Sequence, residues 1–419
     1  MSEAASASIP RSVERRAAIA AQGLGGREGE ELEELVARTG FVRTLGGADA
    51  YLALLARMPG LRRQAVDAAL ASGALRVVPA VRGCIYLVAE RHVALALHLA
   101  ESLSRGRNAR ELARAGVQTE ELLEVQAAIV ELLGARGALS TQGLRKALPA
   151  GVVRGLGEVG KKLGLASTLP PALRQLEFAG RVERTPETDR IDHERYLWRI
   201  PDANPLERGG RPADDADAHR RLAELFVRAS GVCSTASFVE WSGLGKRAAQ
   251  AALVAASATP VELEGQPGPA FADAGLLEDA ARLAGAEGPV AFLPCADNLV
   301  ALRGGPARMV EAAFHDIAVP VWGRGKGSTL GDVKHAFART IVAGGRIVGL
   351  WEYDPDGGRL ALGLFDHDAK FDPIEVERRA AGVAEFLRDC LGHGRAMVNE
   401  TDEHLRGRAA LVSRLAAAH

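Results

Sequence analysis

Apolar positions in the first hundred residues change from helical to extended spacing. A helix is predicted in SVERRAAIAAQ, ending at Gly23, Gly25 and Gly26, because strong helix formers give way to glycine there. Further helices are predicted from Glu30, over Asp49–Arg57 and over Gln64–Ala71. Two extended segments are predicted at Leu75–Pro79 and Cys84–Val88. Helices followed by a two-stranded ribbon form the element order of a winged helix.

The same order recurs after residue 119. A helix is predicted over Thr119–Leu133, and Ser140-Thr141 then suits the N-cap of a short helix. Strands at Arg181–Thr185 and Tyr196–Ile200 enclose the polar loop PETDRIDHER, which has the composition of a wing.

The helix before that ribbon has the clearest signals of its start and end. Ser167-Thr168 ahead of Pro170-Pro171 predicts an N-cap followed by the first helical turn. Leu169, Leu173 and Leu176 share one face, and Gly180 closes the helix at C′. In a winged helix this segment is the recognition helix.

A third copy follows the linker PDANPLERGGRPADDAD, which is rich in Pro, Gly and Asp. Its predicted helices span His219–Ala229, the segment from Ser234-Thr235 through Trp241, and Lys246–Ala256. Thr259–Glu264 and Ala270–Ala272 are expected to form its ribbon.

From Pro289 onward the pattern favours strands. Val290–Leu293 is one, and residues 345–365 predict a hairpin with its turn at Asp356-Gly357-Gly358. A helix is expected from Ile374 to about Leu391, and the last 25 residues are expected to form a polar helical tail.

The predicted fold class is α+β, with three tandem winged-helix modules followed by a β-rich C-terminal domain. The predicted boundaries are 11–118, 119–203 and 217–288 for the three modules, 289–395 for the C-terminal domain and 396–419 for the tail.

Composition indicates a folded protein of ordinary balance, with 47% hydrophobic and 25% charged residues. The 52 basic and 53 acidic residues leave a formal charge of −1, which excludes a uniformly basic coat. Four scattered cysteines without CxxC spacing predict packed, reduced thiols, so neither a metal nor a cofactor is expected. The sequence predicts no leader and no membrane span, and therefore a cytoplasmic protein.

The near-neutral total conceals a basic second module. Residues 136–184 hold nine basic and three acidic residues, whereas residues 262–288 hold six acids and only Arg282. Clustered cations of this kind suit DNA phosphates. The candidate DNA-binding residues lie before the recognition helix, on it, and at the wing: Lys161, Lys162, Arg174, Arg184, Arg190 and Arg195. Glu177, on the same helix, is expected to be solvated, although it could accept a hydrogen bond from cytosine N4.

Two glycine-rich segments resemble nucleotide motifs only superficially. Gly155-Leu-Gly-Glu-Val-Gly160 matches GxGxxG, but no strand is predicted before it. Gly323–Thr329 lacks the Ser or Thr that must follow the lysine of a phosphate loop, which leaves a flexible basic loop. The histidines lie in unrelated contexts and indicate no catalytic triad.

The chain resembles the tandem winged-helix DNA-binding proteins that include the AlkZ and YcaQ crosslink-repair DNA glycosylases. The stretches that carry the resemblance run from about residue 13 to 390: RRAAIAAQGLGG, ADAYLALLARMPGL, VRGCIYLV, GKKLGLASTLPPALRQLEFAGRVER, IDHERYLW, FVEWSGLGKRAAQAAL, FLPCADNLVAL and GGRIVGLWEYDPDGG. The resemblance implies three winged helices around double-stranded DNA, followed by a β-rich domain.

The resemblance also implies a Gln-x-Gln or Gln-x-Asp motif that supports hydrolysis of an alkylated base. Continuing GFVRTLGG without gaps into ADAYLALLAR places Arg43 and Leu45 at the two polar positions. Glycosidic cleavage develops positive charge on the sugar, which Arg43 would oppose by about 4 kcal/mol at 4 Å and an effective dielectric near 20. Leu45 cannot orient water. Pairing with Asp49 or with a phosphate is the alternative role for Arg43.

Three hypotheses follow from these observations. The first is a duplex-DNA-binding protein of the winged-helix glycosylase type, connected with alkylated or crosslinked DNA, that lacks the family motif. The second is an active glycosylase that uses a different catalytic group. The third is a protein-interaction scaffold, because winged helices also bind proteins. The sequence leaves the lesion and the oligomeric state open.

Overall fold

The structure is a computed structural model that describes residues 8–26, 29–208, 210–282, 288–319, 328–333, 338–367 and 370–418. The chain divides into two compact units. Residues 1–67 and 219–419 form one, and residues 68–218 form the other. The predicted module 11–118 therefore contributes to both units.

Most of the predicted helices and strands are present, but the helices Val93–Arg114 and Ala274–Arg282 and the strand Arg339–Ala343 were not predicted. The α-helices α1 to α16 span Arg11–Gln22, Leu32–Thr39, Asp49–Leu55, Arg63–Ala71, Val93–Arg114, Thr119–Arg136, Thr141–Ala147, Gly157–Lys162, Leu169–Phe178, Asp215–Ser230, Thr235–Ser242, Lys246–Ala255, Ala274–Arg282, Asn298–Ala301, Pro373–Glu385 and Asp402–Ala418. The strands β1 to β15 span Val42–Arg43, Leu75–Pro79, Ile85–Ala89, Leu139–Ser140, Glu183–Pro186, Tyr196–Arg199, Val232–Ser234, Thr259–Leu263, Gln266–Ala272, Val290–Leu293, Ala318–Val319, Ser328–Thr329, Arg339–Ala343, Arg346–Asp354 and Arg359–Leu364.

The predicted start and stop signals mostly act as expected. Gly23 ends α1 in the left-handed conformation, with φ +66°. Ser140 caps α7, its Oγ accepting from the Gly143 N–H at 3.0 Å. Ser234 and Ser237 form a reciprocal capping box at α11. Thr168 occupies the N-cap position of α9, but its Oγ1 accepts from the Arg154 N–H at 3.1 Å instead of capping the helix.

The unit of residues 68–218 holds the predicted second module. Strand β6 lies between β4 and β5 in a three-stranded antiparallel sheet, while β2 pairs antiparallel with β3 in another sheet. The core contains fully buried Val125 and Ile129 from α6, Leu144 from α7, and Leu169 and Leu176 from α9. The apolar face that the sequence predicts for α9 is therefore confirmed.

The described part of the other unit holds two larger sheets and the short antiparallel pair β11-β12. The first has the order β7-β9-β8, with Phe226, Phe238 and Trp241 packed in the core beside it. The second is a four-stranded antiparallel sheet in the order β10-β13-β14-β15, and it includes the predicted hairpin. Helix α15 follows and continues as a π-helical turn over Phe386–Leu391.

The C-terminal helix is not a polar tail. Helix α16 packs on β14 and β15, and its Leu405 and Val412 are buried. The close approach requires glycine on the strand, because a Cβ at Gly363 would lie 2.5 Å from the Val412 carbonyl oxygen. The helix that was expected to be a polar tail thus completes the core of the sheet.

Two further expectations concern buried thiols and membrane segments. Cys233 and Cys295 are buried, and burial raises the pKa of Cys233 to about 12, which keeps this thiol protonated.

Among the helices that the structure describes, none is long and apolar enough to cross a membrane.

Candidate nucleic-acid interface

The exposed cations of the predicted second module lie on α8, on α9 and in the segment between β5 and β6, which is the predicted wing. Lys161 and Lys162 end α8, Arg174 lies on α9, and Arg195 lies just before β6. All four side chains are exposed, and we call this set the helix-and-wing surface. Lys161 pairs with Glu158 at 2.6 Å, but both groups are largely exposed, so the pair holds the lysine only weakly.

Arg184 is turned into the module rather than toward solvent. Its Nε and Nη2 donate to the two carboxylate oxygens of Glu177, each at 2.6 Å. Its guanidinium also lies 4.9 Å from the ring centre of Trp198 and 5.4 Å from that of Tyr196. Burial disfavours the charge of Arg184, but Glu177 outweighs it and raises the pKa above its usual value.

The expectation that Glu177 is solvated is wrong. The side chain is 2% exposed, and both of its oxygens accept from Arg184. A buried carboxylate requires such a partner, which lies seven residues away across the turn to β5. A phosphate contact by Arg184 would therefore have to break a buried ion pair.

Arg190 is held in a similar way within the wing. Its Nε and Nη2 donate to Asp192 at 3.0 Å and 2.5 Å, and the Asp192 side chain is fully buried. Of the six predicted DNA-binding residues, four thus form the helix-and-wing surface and two neutralise buried acids. Their roles in DNA binding remain predictions.

The segment that would hold the family motif is partly buried. Arg43 ends the two-residue strand β1, Thr44 is buried, and Leu45 is half-buried. The Arg43 Nε is enclosed and has no hydrogen-bond partner in the described part of the chain. Leu45 offers no polar atom with which to orient water.

The carboxylate nearest to this segment in sequence, Asp49, belongs to a buried ion network. Its Oδ1 accepts from the Arg339 Nη2 at 2.8 Å, so the alternative that Arg43 pairs with Asp49 is not what the structure shows. Arg339 also donates to Glu352 at 2.6 Å, and Arg408 links Glu352 to Glu400. We call Asp49, Arg339, Glu352, Arg408 and Glu400 the five-residue network.

Burial dominates the titration of Asp49. It raises the pKa of this carboxyl to about 6, although the nearby Arg339 opposes the shift. The side chain is only 5% exposed, which leaves no access for a sugar or a nucleophilic water. Sequence reasoning missed the network because its members come from positions up to 359 residues apart (Asp49 to Arg408), a separation that no local pattern reports.

The two motif-like glycine segments gain no support as nucleotide sites. At Gly155 an isolated bridge to Ser167 stands where a dinucleotide motif needs a strand. Residues 320–327 lie outside the described residues, so of the predicted basic loop only Ser328 and Thr329, which form β12, can be described. In the described ranges, no group of three or more His, Cys, Asp or Glu could hold a metal ion.

Small antiparallel sheets, packed helices and an exposed basic surface define an α+β protein with a candidate nucleic-acid interface. The family model described as DNA glycosylase AlkZ-like matches residues 36–389, so the chain belongs to the AlkZ-like family. The predicted family is thereby confirmed.

A solved structure of similar fold is Streptomyces sahachiroi DNA glycosylase AlkZ. The likeness has a TM-score of 0.68 at 18% sequence identity and covers 92% of this chain and 97% of that chain. At this identity it supports the fold and not the activity. No curated protein matches the chain.

Proposed function

We propose that this protein binds duplex DNA through its helix-and-wing surface and lacks the hydrolytic motif of its family. The observation that carries the proposal is the exposure of Lys161, Lys162, Arg174 and Arg195 on one module, around a helix whose opposite face is buried. Cations presented in this way are suited to contact phosphates, whose neutralisation supplies most of the sequence-independent affinity.

The order of elements supports a winged helix in the second and third of the three predicted modules. The series α6, β4, α7, α8, α9, β5, β6 and the series α10, β7, α11, α12, β8, β9 each end in a two-stranded ribbon. In each series the last helix before the ribbon would be the recognition helix, and α9 carries Arg174.

The motif segment supports the second half of the proposal. Arg43 would repel the charge that develops during glycosidic cleavage, and Leu45 is apolar. Asp49 cannot replace them, because it is buried and bound by Arg339. Family membership alone favours the alternative, an active glycosylase that uses another group.

The binding half is tested by titrating the full-length protein with a short blunt duplex at several salt concentrations. The triple variant Lys161→Gln, Lys162→Gln, Arg174→Gln should make the dependence of log K on log salt shallower by about 2.7, since each phosphate contact contributes about 0.9. The loss should be similar on unrelated sequences.

A matched control removes three exposed cations from the other unit, Arg359, Lys370 and Arg378. This variant should bind duplex as the unmodified protein does. Equal losses of duplex affinity in the two triple variants would contradict the proposed surface. A duplex affinity of the unmodified protein that does not change with salt concentration would contradict it as well.

The catalytic half is tested by single-turnover incubation with duplexes that contain methylated purines, followed by alkali to reveal abasic sites. No strand breaks above background are expected. Breaks would instead support the active-glycosylase alternative. The double variant Arg43→Gln, Leu45→Gln tests the motif alignment, because a gain of cleavage would show that these are the catalytic positions.

A further inference from the structure

A cavity of about 310 Å³ lies in the unit of residues 1–67 and 219–419, which does not contain the helix-and-wing surface. Its walls come from α3, the turn that follows α3, β10, α15 and the π-helical turn after α15. Most of the lining is apolar, and it includes Leu52, Ala56, Leu61, Phe292, Val383 and Phe386. The exposed residues Pro59 and Gly382 also line the cavity, so it opens to solvent.

The charged groups at the cavity cancel one another. Arg378 and Arg379 line it, and the Nε of each donates to the Glu375 carboxylate, at 2.8 Å and 2.5 Å. Glu385 lines the cavity as well, so the two arginines are balanced by two glutamates. An anionic ligand would meet arginines that are already bound, together with a second carboxylate that repels it. An uncharged ligand meets no such opposition.

The π-helical turn contributes Phe386 and Cys390 to the lining. Turns of this kind are rare, and they occur frequently at functional sites. Cys390 is half-buried, and a free cysteine behaves as a small, polarizable apolar side chain. Among the described residues that line the cavity, the only polar side chains are the two arginines, Glu385 and this weakly polar thiol. The lining therefore suits an apolar ligand.

The size of the cavity matches a small molecule. Small-molecule sites have volumes of about 300–1,000 Å³, whereas a specific protein interface buries about 800 Å² on each partner. An apolar cavity of about 150 Å³ holds benzene, so one of about 310 Å³ has room for a ring with a short chain.

We propose that this cavity, which we call the α3–α15 cavity, binds a small uncharged molecule with an apolar ring and a short alkyl chain. The ring would pack against Phe292 and Phe386, since aromatic rings stack favourably on one another. The bound molecule would also cover the Cys390 thiol.

The first experiment titrates the full-length protein with butylbenzene and with 4-butylbenzoate by calorimetry. Butylbenzene should bind at one site. 4-Butylbenzoate should bind about tenfold more weakly or worse, because its carboxylate adds a charge that the lining does not accommodate. No binding of butylbenzene would overturn the proposal, and equal affinity for the two compounds would overturn the proposed class of ligand.

A matched pair of glycine variants locates the binding. Gly382 lies within α15, and a Cβ added there would meet no atom within 4 Å beyond the local helix backbone. Gly382→Leu should fill part of the cavity and weaken butylbenzene binding about tenfold or more. The control is Gly407→Leu, at an exposed glycine of α16 that has the same free space and does not line the cavity. Leucine suits a helix better than glycine, so both variants should fold. Equal affinities in the two variants would overturn the proposal.

The second experiment needs no substitution. The native protein is alkylated with iodoacetamide, and peptide mass spectrometry reports each thiol separately. At a butylbenzene concentration about ten times its Kd, alkylation of Cys390 should slow about tenfold, because only about a tenth of the sites remain free. Cys84 is also half-buried but belongs to the other unit and does not line the cavity, so its rate should not change. Bound butylbenzene that leaves Cys390 as reactive as before, or that slows both thiols equally, would overturn the proposal. Neither experiment contains DNA, so both are independent of the proposed duplex binding.

Discussion

The motif segment and the second module contain the same kinds of charged residue but arrange them in opposite ways. Around Asp49, arginines and acids are packed into the five-residue network and neutralise one another inside the protein. On the helix-and-wing surface, the cations project into solvent, and among the residues that the structure describes the only carboxylate paired with them is the exposed Glu158. One arrangement is suited to holding a fold together, and the other leaves charge available to a ligand.

The difference shows why the number of charges near a motif is a poor guide to chemistry. A catalytic group must reach its substrate, and buried charges that bind each other cannot do so without breaking their pairs. Asp49 is therefore held by other charged groups of the protein, even though the family resemblance directs attention to this segment. The predictions that follow test this contrast.

The largest effect is expected from Arg339→Leu. The change leaves Asp49 buried without a cation and removes one partner of Glu352, which should lower the free energy of unfolding by about 3–5 kcal/mol. Urea unfolding measures it. Arg359→Leu, at an 81% exposed side chain, should change stability by less than about 0.5 kcal/mol. A loss below about 1 kcal/mol for Arg339→Leu would show that the network is not stabilising.

The next effect concerns the pH dependence of stability. Because the folded pKa of Asp49 is raised to about 6, this group favours the folded state below its unfolded pKa, and that contribution is lost as the pH rises through 6. The free energy of unfolding of the unmodified protein, relative to that of Asp49→Asn, should thus decrease by on the order of 2 kcal/mol as the pH rises from 4 to 7. Thermal unfolding across this range measures it. Parallel curves for the two proteins would contradict a raised pKa.

A smaller effect compares two ion pairs within the second module. Glu177→Gln breaks the buried pair with Arg184 and should cost about 2 kcal/mol. Glu158→Gln breaks the exposed pair with Lys161 and should cost less than about 0.5 kcal/mol. Denaturant unfolding of both variants provides the comparison, and similar costs would mean that burial does not separate the two pairs.

The smallest effect is expected on the helix-and-wing surface itself. Lys162→Gln and Arg174→Gln should each change stability by less than about 0.5 kcal/mol, because both side chains are exposed and neither pairs with an acid among the described residues. Their effect should appear in duplex affinity instead. A stability loss comparable with that of Glu177→Gln would place them in the core rather than on a binding surface.

Local sequence signals predicted most of the elements. Leu75–Pro79 and Val290–Leu293 are strands with the predicted bounds, and Ser140, Ser234 and Gly180 mark helix ends as their chemistry requires. These signals act over a few residues, and the sequence alone is enough to recognise them.

Burial of charged side chains could not be predicted in this way. Glu177 looks like a surface residue on an amphipathic helix, and only the return of β5 brings Arg184 against it. Helix α16 begins with the polar sequence DEHLRGR, yet it buries Leu405 and Val412, and its Arg408 enters the five-residue network. Such contacts depend on tertiary packing, because the fold decides which charged side chains are buried against an oppositely charged residue.

The five-residue network also constrains the order in which the protein can fold during synthesis. Asp49 and Arg339 are 290 residues apart, so at about 5–20 residues per second the aspartate waits roughly 15–60 s for its partner to be made. Residues 68–218 are complete well before that time. The continuous unit can therefore form first on the ribosome, while the N-terminal segment stays unfinished until the sheet that carries Arg339 emerges.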